Sequence, residues 1–449
     1  MAHLVIIMNV EIEITEDNRV KDHVYQDFLT ILHSELIPAL GCTEPIAIAY
    51  ASAKARNVLG SMPEHIIVEC SGNIIKNVKG VIVPTTENMR GIDTSAILGA
   101  VGGDPDGKLE VLKYITPEHI KETKELLNKS ICEVKLLSGS SNLHIIVTAT
   151  KGSDTATVEI KESHTNIVSI KKNGVLIEQQ RDEVKQGDGC NTIESASLPK
   201  DQLTLERIYE FANTVKIEDV SEVLGRQIEY NLKIANEGLT NSYGANVGKT
   251  IVKNYGNDVK MLAKAYPAAG SDARMGGCTL PVIINSGSGN QGMTVSLPVI
   301  VYGHHLNSSK EQLYRALVLS NLIAIHLKSG IGKLSAYCGV VSAACGSGAA
   351  ISYLCNASFD TIAKTITNVL GNVSGIVCDG AKSSCAAKIA SAVDAALMGH
   401  YLAMDDNTYG AGEGLVKENI ERTIETISQM GRVGMKETDV EILNLMIEN

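Results

Sequence analysis

The chain has 449 residues, more than one ordinary hydrophobic core holds, so two or three domains are expected. Its 51 acidic and 40 basic residues give a net charge of −11, which argues against nucleic acid or an anionic membrane as the main partner. Ten cysteines and no secretory leader predict a cytoplasmic protein whose thiols bind metal or stay free.

The N-terminal part predicts two helices separated by a break. Residues 22–36 carry apolar side chains with a period close to 3.6, and Pro38 ends that helix. A second helix is predicted from Thr43, as its N-cap, to about Leu59, with Pro45 tolerated in the first turn.

From residue 64 to about residue 180, short apolar runs alternate with Gly, Asn and Asp turns, which predicts strands. A helix at 117–127 interrupts them, and a polar linker at 186–197 follows. The predicted strands are 66–70, 81–83, 143–149, 156–160 and 167–171.

The remainder of the chain predicts mainly helices, at 204–214, 217–238, 310–328, 334–355 and 384–402. Because the chain has 40 Gly, three Phe and no Trp, close packing through small residues is expected. The uncharged stretches 279–303 and 334–359 are long enough to span a bilayer, but their Ser, Gly, Asn and Thr content favours buried elements of a soluble protein.

The predicted fold class is therefore α+β. Both ends of the chain, residues 1–60 and 200–449, are expected to build one helical domain. Residues 61–199 are expected to form an inserted, strand-rich α+β domain.

Three cysteines, Cys338, Cys378 and Cys385, stand in uncharged, glycine-rich surroundings that suit a buried soft-metal site. Cys385 is predicted in the first turn of a helix, where the dipole favours a thiolate. Three protein thiolates leave one open iron on a cubane cluster, or one open position on zinc, and that position can do chemistry. Cys345 shares the predicted helix face of Cys338 and is either a fourth ligand or, the commoner case, a small buried residue.

Residues 287–292 formally match the dinucleotide-binding pattern GxGxxG, but Pro298 falls in the segment that should be the phosphate-binding helix. A loop that surrounds a small polar ligand is the better interpretation, and a tight structural turn is the alternative. The side chains that such a loop offers are Ser286, Ser288, Asn290 and Gln291.

Three further side chains suggest chemistry, each with a structural alternative. Arg274 suits a substrate carboxylate, because a guanidinium can bind both carboxylate oxygens. An internal ion pair with Asp272 is the alternative, with equal weight. Cys42 precedes a predicted helix start, a setting that lowers a thiol pKa, and Glu44 is either a general base or a favourable charge for the helix dipole. A pyridoxal-binding Lys382 is another alternative, but the usual flanking phosphate loop is not evident.

Taken together, several segments resemble the iron–sulfur L-cysteine desulfidase family, which is related to the catalytic part of the iron–sulfur L-serine dehydratases. The similarity covers nearly the whole chain after about residue 20, and residues 1–18 have no match. The segments that carry it are 38–45, 271–277, 285–292, 334–338 and 378–381.

The resemblance implies an oxygen-sensitive lyase, independent of pyridoxal phosphate, that converts L-cysteine to pyruvate, ammonia and sulfide. It implies a [4Fe-4S] cluster on Cys338, Cys378 and Cys385, whose open iron acts as a Lewis acid. Cys42 would lie near that iron, as a resting-state ligand or a catalytic thiol, with Glu44 as the second catalytic residue. The residues expected to bind the substrate are Thr43, Asn73, Arg274, Ser286, Ser288, Asn290 and Gln291.

L-Cysteine is thus the expected small-molecule partner, and a homo-oligomer, a dimer, is the expected assembly. Two other functions stay open. One is a dehydratase of serine or another β-substituted amino acid, with the same cluster and a different leaving group. The other is a non-catalytic protein in which the thiolates hold zinc or a fully ligated cluster for a structural or redox-sensing role.

Overall fold

Helices dominate the architecture, which is known from a computed structural model that describes residues 16–179, apart from 138 and 140, and residues 202–447. The predicted linker at 186–197 and most of the N-terminal extension lie outside these residues. In chain order the helices are α1 (Glu16–Glu35), α2 (Thr43–Leu59), α3 (Gly72–Lys79), α4 (Ile92–Gly102), α5 (Pro117–Asn128), α6 (Leu205–Thr214), α7 (Ile217–Thr240), α8 (Val247–Tyr255), α9 (Val259–Met275), α10 (Gly289–His305), α11 (Lys310–Ile331), α12 (Val340–Leu354), α13 (Phe359–Asn372), α14 (Cys385–Met404), α15 (Ile420–Gln429) and α16 (Lys436–Ile447).

The strands form one large and one small sheet. They are β1 (Pro38–Leu40), β2 (His65–Cys70), β3 (Cys132–Leu136), β4 (His144–Lys151), β5 (Asp154–Lys161), β6 (Ile167–Lys172), β7 (Val175–Gln179) and β8 (Pro281–Ile283). The six-stranded sheet has the order β3-β2-β4-β5-β6-β7, with β2 and β3 parallel and the other pairs antiparallel. Helices together with this mixed sheet confirm the predicted α+β class.

The small sheet joins two distant parts of the chain. Strand β1 pairs antiparallel with β8, so that Pro38 lies opposite Ile283 and Leu40 opposite Pro281. This pairing places the start of α2 beside the loop that precedes α10. All strands of the large sheet lie within the segment predicted as an insertion, but the division into two domains stays a prediction.

Small residues let the central helices approach closely, as their abundance predicted. Helix α12 is buried along almost its whole length and packs against α10, α11 and α14. A Cβ at Gly346 would overlap Ser320 O of α11, and a Cβ at Gly238 would overlap Ala269 O of α9. Because close approach brings more atoms into contact, small side chains can build a dense core without large aromatics.

Three local predictions are wrong. Residues 81–83 contribute only an isolated bridge between Ile82 and Arg90. The N-cap of α2 is Cys42, while Thr43 is already inside the helix. The helix predicted from residue 334 begins at Val340, because the preceding segment pairs with a distant part of the chain.

Within the part of the chain that the structure describes, no helix has both the length and the apolar composition that crossing a bilayer requires.

Candidate active site

A cavity of about 90 Å³ contains most of the residues that the sequence predicted for function. The predicted residues that line it are Cys42, Glu44, Arg274, Ser286, Ser288, Asn290, Gln291, Cys338, Cys378 and Cys385. Side chains that sequence reasoning did not select also line it, namely Asn77, His164, Lys328 and Tyr337. The cavity therefore brings together thiols, a carboxylate, an imidazole, a guanidinium and an amide-rich loop.

Backbone pairing brings Cys338 and Cys378 together. The Cys338 N–H donates to Ile376 O at 2.8 Å, and the Cys378 N–H donates to Ala336 O at 2.7 Å. This pairing keeps Cys338 out of α12, so the helix face it was predicted to share with Cys345 does not exist. Cys345 is buried in the middle of α12.

Cys385 reaches the same cavity from the first position of α14, after a short turn from Cys378. Its Sγ lies 3.7 Å from Gly380 O. Burial raises the pKa of the Cys385 thiol, so the predicted lowering by the helix start is wrong. The helix dipole is the weaker effect here because desolvation acts on the whole charge of a thiolate.

The pKa of the Cys378 thiol is shifted in the opposite direction, downward. Hydrogen bonding to the Cys338 thiol and the nearby charges of Lys76 and Lys328 outweigh burial and lower the pKa of Cys378. The hydrogen bond to Cys378, together with burial, raises the pKa of Cys338 well above its ordinary value. A thiolate is thus favoured at Cys378 first.

The donor chemistry of these cysteines fits an iron–sulfur cluster, because thiolates are the usual ligands of such clusters. Buried ammonium groups nearby offset the negative charge that several thiolates would bring. Across residues 16–179 and 202–447, however, no three His, Cys, Asp or Glu side chains are already arranged to hold a metal ion together. The cavity gathers the expected ligands without presenting a finished coordination sphere.

A second group of side chains surrounds the start of α2. Cys42 Sγ donates to Glu44 Oε2 at 2.9 Å, and Thr43 Oγ1 lies 3.1 Å from the same oxygen. Asn77 Nδ2 donates to Glu44 Oε1 at 3.1 Å. Glu44 is thus held by a thiol, a hydroxyl and an amide.

These contacts determine the ionisation of both groups. Burial and the Glu44 carboxylate raise the pKa of Cys42 well above its ordinary value, which contradicts the predicted lowering. Burial alone would raise the pKa of Glu44, but His164 and the Cys42 thiol lower it to about 2. At neutral pH Cys42 is therefore a protonated thiol and Glu44 a carboxylate.

His164 is the main residue that the sequence did not reveal. It lies in the turn between β5 and β6, is 4% exposed, and places Nε2 3.8 Å from Glu44 Oε1. That distance is too long for a hydrogen bond, and Nε2 has no hydrogen-bond partner among the described residues. A lone His in a polar turn carries no local signal, since only the tertiary fold places it beside Glu44.

Arg274, at the end of α9, points toward the cavity and not toward Asp272. Its Nε donates to Gly41 O at 2.8 Å and its Nη1 to Asn290 Oδ1 at 3.1 Å. Asp272 instead accepts the Gly248 N–H at the start of α8, so the alternative of an internal ion pair is wrong. Two of the five guanidinium N–H groups are used in these bonds, which leaves Nη2 for an anionic ligand.

The glycine-rich loop is a tight turn whose polar groups face the cavity. Asn285 and Ser288 exchange backbone hydrogen bonds of 3.1 and 3.0 Å, and Gly287 between them has a φ of 79°. The turn follows β8, which pairs antiparallel with β1, so the parallel βαβ unit that a dinucleotide site needs is not formed here.

Two glycines make room for the polar side chains of this wall. A Cβ at Gly289 would lie 2.5 Å from Arg274 Nε, and a Cβ at Gly339 would overlap the side-chain amide of Gln291. Gln291 Oε1 is buried and has no hydrogen-bond partner within the described ranges. Such an acceptor suits a ligand ammonium group.

Two predicted substrate-binding residues do not line the cavity. Thr43 Oγ1 donates to Gly287 O at 3.0 Å and thereby supports the loop. Asn73 Nδ2 donates to Asp439 Oδ2 at 2.7 Å, on the C-terminal helix α16.

Comparison with known proteins shows the family. Residues 106–444 match the model of the serine dehydratase alpha chain. The chain belongs to the serine dehydratase alpha chain family. This confirms the predicted relation to the iron–sulfur serine dehydratases.

Relatives of this serine dehydratase-like chain cover almost its whole length. The UPF0597 protein of Lachnoclostridium phytofermentans is 54% identical over 424 residues, which are 94% of this chain and 100% of the relative. Those of Desulfitobacterium hafniense and Treponema denticola are 51% and 48% identical, each over 430 residues, 95% of this chain and 98% of the relative.

The site of this serine dehydratase-like protein extends beyond the matched segment. His164, Arg274 and the three clustered cysteines fall inside residues 106–444, whereas Cys42 and Glu44 precede them.

Proposed function

We propose that the protein is a cytoplasmic L-cysteine desulfidase, independent of pyridoxal phosphate, that works with a [4Fe-4S] cluster. L-Cysteine would lose its Cα proton and its sulfur to give 2-aminoacrylate and hydrogen sulfide. Addition of water to 2-aminoacrylate then gives pyruvate and ammonia. The observation that supports this proposal is the single cavity in which the three cysteines meet Arg274 and the Cys42–Glu44 pair.

The wall formed by Arg274 and the loop would position the amino acid. The Nη2 group of Arg274 suits the substrate carboxylate, and Gln291 Oε1 suits its ammonium group. Ser286, Ser288 and Asn290 line the space between them. Thr43 would act indirectly, through Gly287 of the loop.

The proton at Cα needs an acceptor within the cavity. Glu44 is a poor proton acceptor, because the hydrogen bonds that it accepts from Cys42 and Asn77 stabilise its carboxylate form. His164 Nε2 is close to that carboxylate and otherwise without a partner among the described residues. We assign proton abstraction to His164, with Glu44 stabilising the imidazolium and orienting the Cys42 thiol.

Cys338, Cys378 and Cys385 would hold the cluster, which when bound would supply a Lewis-acidic iron for the departing sulfur. Cys42 lies in the same cavity and can occupy the open position at rest or return a proton to the product. We also expect a homodimer.

L-Serine dehydration is the second candidate, and the family description supports it. L-Serine and L-cysteine differ in the leaving group but share the same carboxylate and ammonium groups, so Arg274 and Gln291 would bind either substrate. The anaerobically purified protein should therefore be assayed with L-cysteine and L-serine, measuring pyruvate and sulfide.

We expect equal amounts of pyruvate and sulfide from L-cysteine, at a higher kcat/KM than pyruvate formation from L-serine. A preference for L-serine would instead identify a dehydratase. A protein that holds its cluster but releases no pyruvate from either amino acid would be the non-catalytic alternative.

A further inference from the structure

The C-terminal helix α16 lies on α3 although each of its side chains is at least partly exposed. Three contacts join the two helices. The Asp439 carboxylate binds the Lys76 ammonium group and Asn73 Nδ2, Leu443 sits over Gly72, and Met446 O accepts from Lys79. The contacts follow α16 for about two turns, so the docking is specific to one face of the helix.

Helix α3 in turn touches the candidate site at two points. Asn77 donates to Glu44 at the start of α2. On the other side, Gly380 has a φ of 95° and packs so closely on Lys76 O that a Cβ would overlap it. Helix α3 therefore lies between α16 and the cavity, in contact with both the Glu44 group and the turn that carries Cys378.

Lys76 is the centre of this arrangement. Its side chain is 1% exposed and its ammonium group pairs with Asp439, while its backbone carbonyl lies against Gly380 in the turn that follows Cys378. A second buried lysine, Lys328, lines the cavity that contains the same cysteines. Buried ammonium groups are retained only where opposite charge and hydrogen bonds compensate them, so the Asp439 carboxylate determines where the Lys76 charge stands.

We propose that α16 is a clasp that supports the cysteine site, with Asp439 as a positioning residue that binds Lys76 and thereby fixes α3 against the cavity. Asn73, predicted from the sequence to bind substrate, belongs to this clasp and acts through Asp439. The part of the proposal that concerns cluster retention rests on the proposed function.

The test compares Asp439→Asn with Glu441→Gln. Both substitutions remove one negative charge from α16, but Glu441 is exposed and, two residues after Asp439 on the helix, does not share its face. Amide hydrogen exchange of cluster-free protein should show residues 72–79 exchanging about tenfold faster, or more, in Asp439→Asn and unchanged in Glu441→Gln.

Cluster retention is the second measurement. After anaerobic loading with iron(II) and sulfide, Asp439→Asn should lose iron to a chelator about tenfold faster than wild type and Glu441→Gln. Leu443→Ala loosens the helix without changing charge and should show faster exchange with a smaller loss of iron. If Asp439→Asn does not fold, as judged by circular dichroism, Leu443→Ala and Asn73→Ala carry the comparison.

The outcomes separate the two proposals. Unchanged exchange in Asp439→Asn and Leu443→Ala overturns the clasp, and faster exchange with normal iron retention overturns the positioning role of Asp439. A wild-type protein that takes up no cluster overturns the proposed function, while the exchange measurement still decides whether α16 holds α3.

Discussion

At the scale of single residues, Glu44 accepts hydrogen bonds from Cys42 and Asn77, and His164 Nε2 lies 3.8 Å from its Oε1. Because Glu44 is ionised and already accepts these hydrogen bonds, it can orient the Cys42 thiol and stabilise a positive charge beside it. In the proposed reaction the base is His164, whose Nε2 lacks a hydrogen-bond partner in the described part of the chain.

His164→Asn and Glu44→Gln should each lower kcat about 10²-fold or more while leaving iron content unchanged, because both act on proton transfer and not on cluster binding. Since the two side chains work as a pair, the double variant should cost little more than either single change. Steady-state kinetics with iron analysis check this. Additive losses would mean that the two residues act independently.

Arg274→Lys should raise KM for L-cysteine strongly with intact cluster content. A lysine cannot keep both the bond to Gly41 O and the bond to Asn290 while offering a planar pair of donors to a carboxylate. Loss of such a contact costs about 2–5 kcal/mol in kcat/KM. Arg315→Lys is the matched control, because Arg315 is a partly buried arginine that pairs with Glu311 and does not line the cavity. Equal kinetics in both variants would make Arg274 a structural residue.

At the scale of elements, a buried polar contact joins three helices of the core. His400 of α14 binds Ser352 of α12 through Nδ1 at 2.8 Å, and Ser352 lies 2.9 Å from Thr365 of α13. His400 is 2% exposed, and burial lowers its pKa to about 4. The imidazole is therefore neutral in the folded protein near neutral pH.

This histidine predicts a pH dependence of stability. Its folded pKa lies below the unfolded value of 6.5, so the unfolded state binds more protons between pH 6.5 and about 4. Stability is thus fully present above pH 6.5 and decreases as the pH falls through this window, by up to about 3 kcal/mol. Thermal melts across that range should show a smaller decrease in His400→Gln than in wild type, and parallel curves would contradict the assignment.

The elements also show which predictions local sequence supports. The amphipathic periods of α6 and α7 and the alternating apolar residues of β2, β4 and β5 were recognisable, since each pattern depends on neighbouring residues. The start of α12 was not, because bonds from Cys338 and Cys378 to the opposite segment override the local preference for helix. The pKa directions of Cys42 and Cys385 were missed for a similar reason: burial is a property of the fold and not of the helix start.

At the scale of the whole molecule, the cavity draws on parts of the chain that are far apart in sequence. Cys42 and Glu44 come from α2, His164 from the large sheet, Arg274 from α9, and the three clustered cysteines from the last third of the chain. The motifs identified the thiols, the arginine and the loop, because these stand in unusual local surroundings. They could not identify His164 or Lys76, which gain their significance only from distant partners.

The last prediction separates the cysteines by role. Cys338→Ser, Cys378→Ser and Cys385→Ser should each lose cluster and activity, because the three thiols share one cavity and a hydroxyl is a poor ligand for a soft metal site. Cys345→Ser is the control, since Cys345 is buried within α12 and should affect neither iron content nor turnover. Retention of the cluster in all three single variants would rule out these ligands.

Cys42→Ala should keep the cluster, lose most turnover and show an altered absorption spectrum without substrate. Cys42 is the N-cap of α2, far in sequence from the other three thiols, and it donates its proton to Glu44, so we expect it to take part in turnover and not to be required for holding the cluster. Iron analysis, anaerobic spectra and the pyruvate assay on the same preparation distinguish the outcomes. Normal turnover in Cys42→Ala would leave His164 and Glu44 as the catalytic pair, whereas failure to load iron would make Cys42 an obligatory fourth ligand.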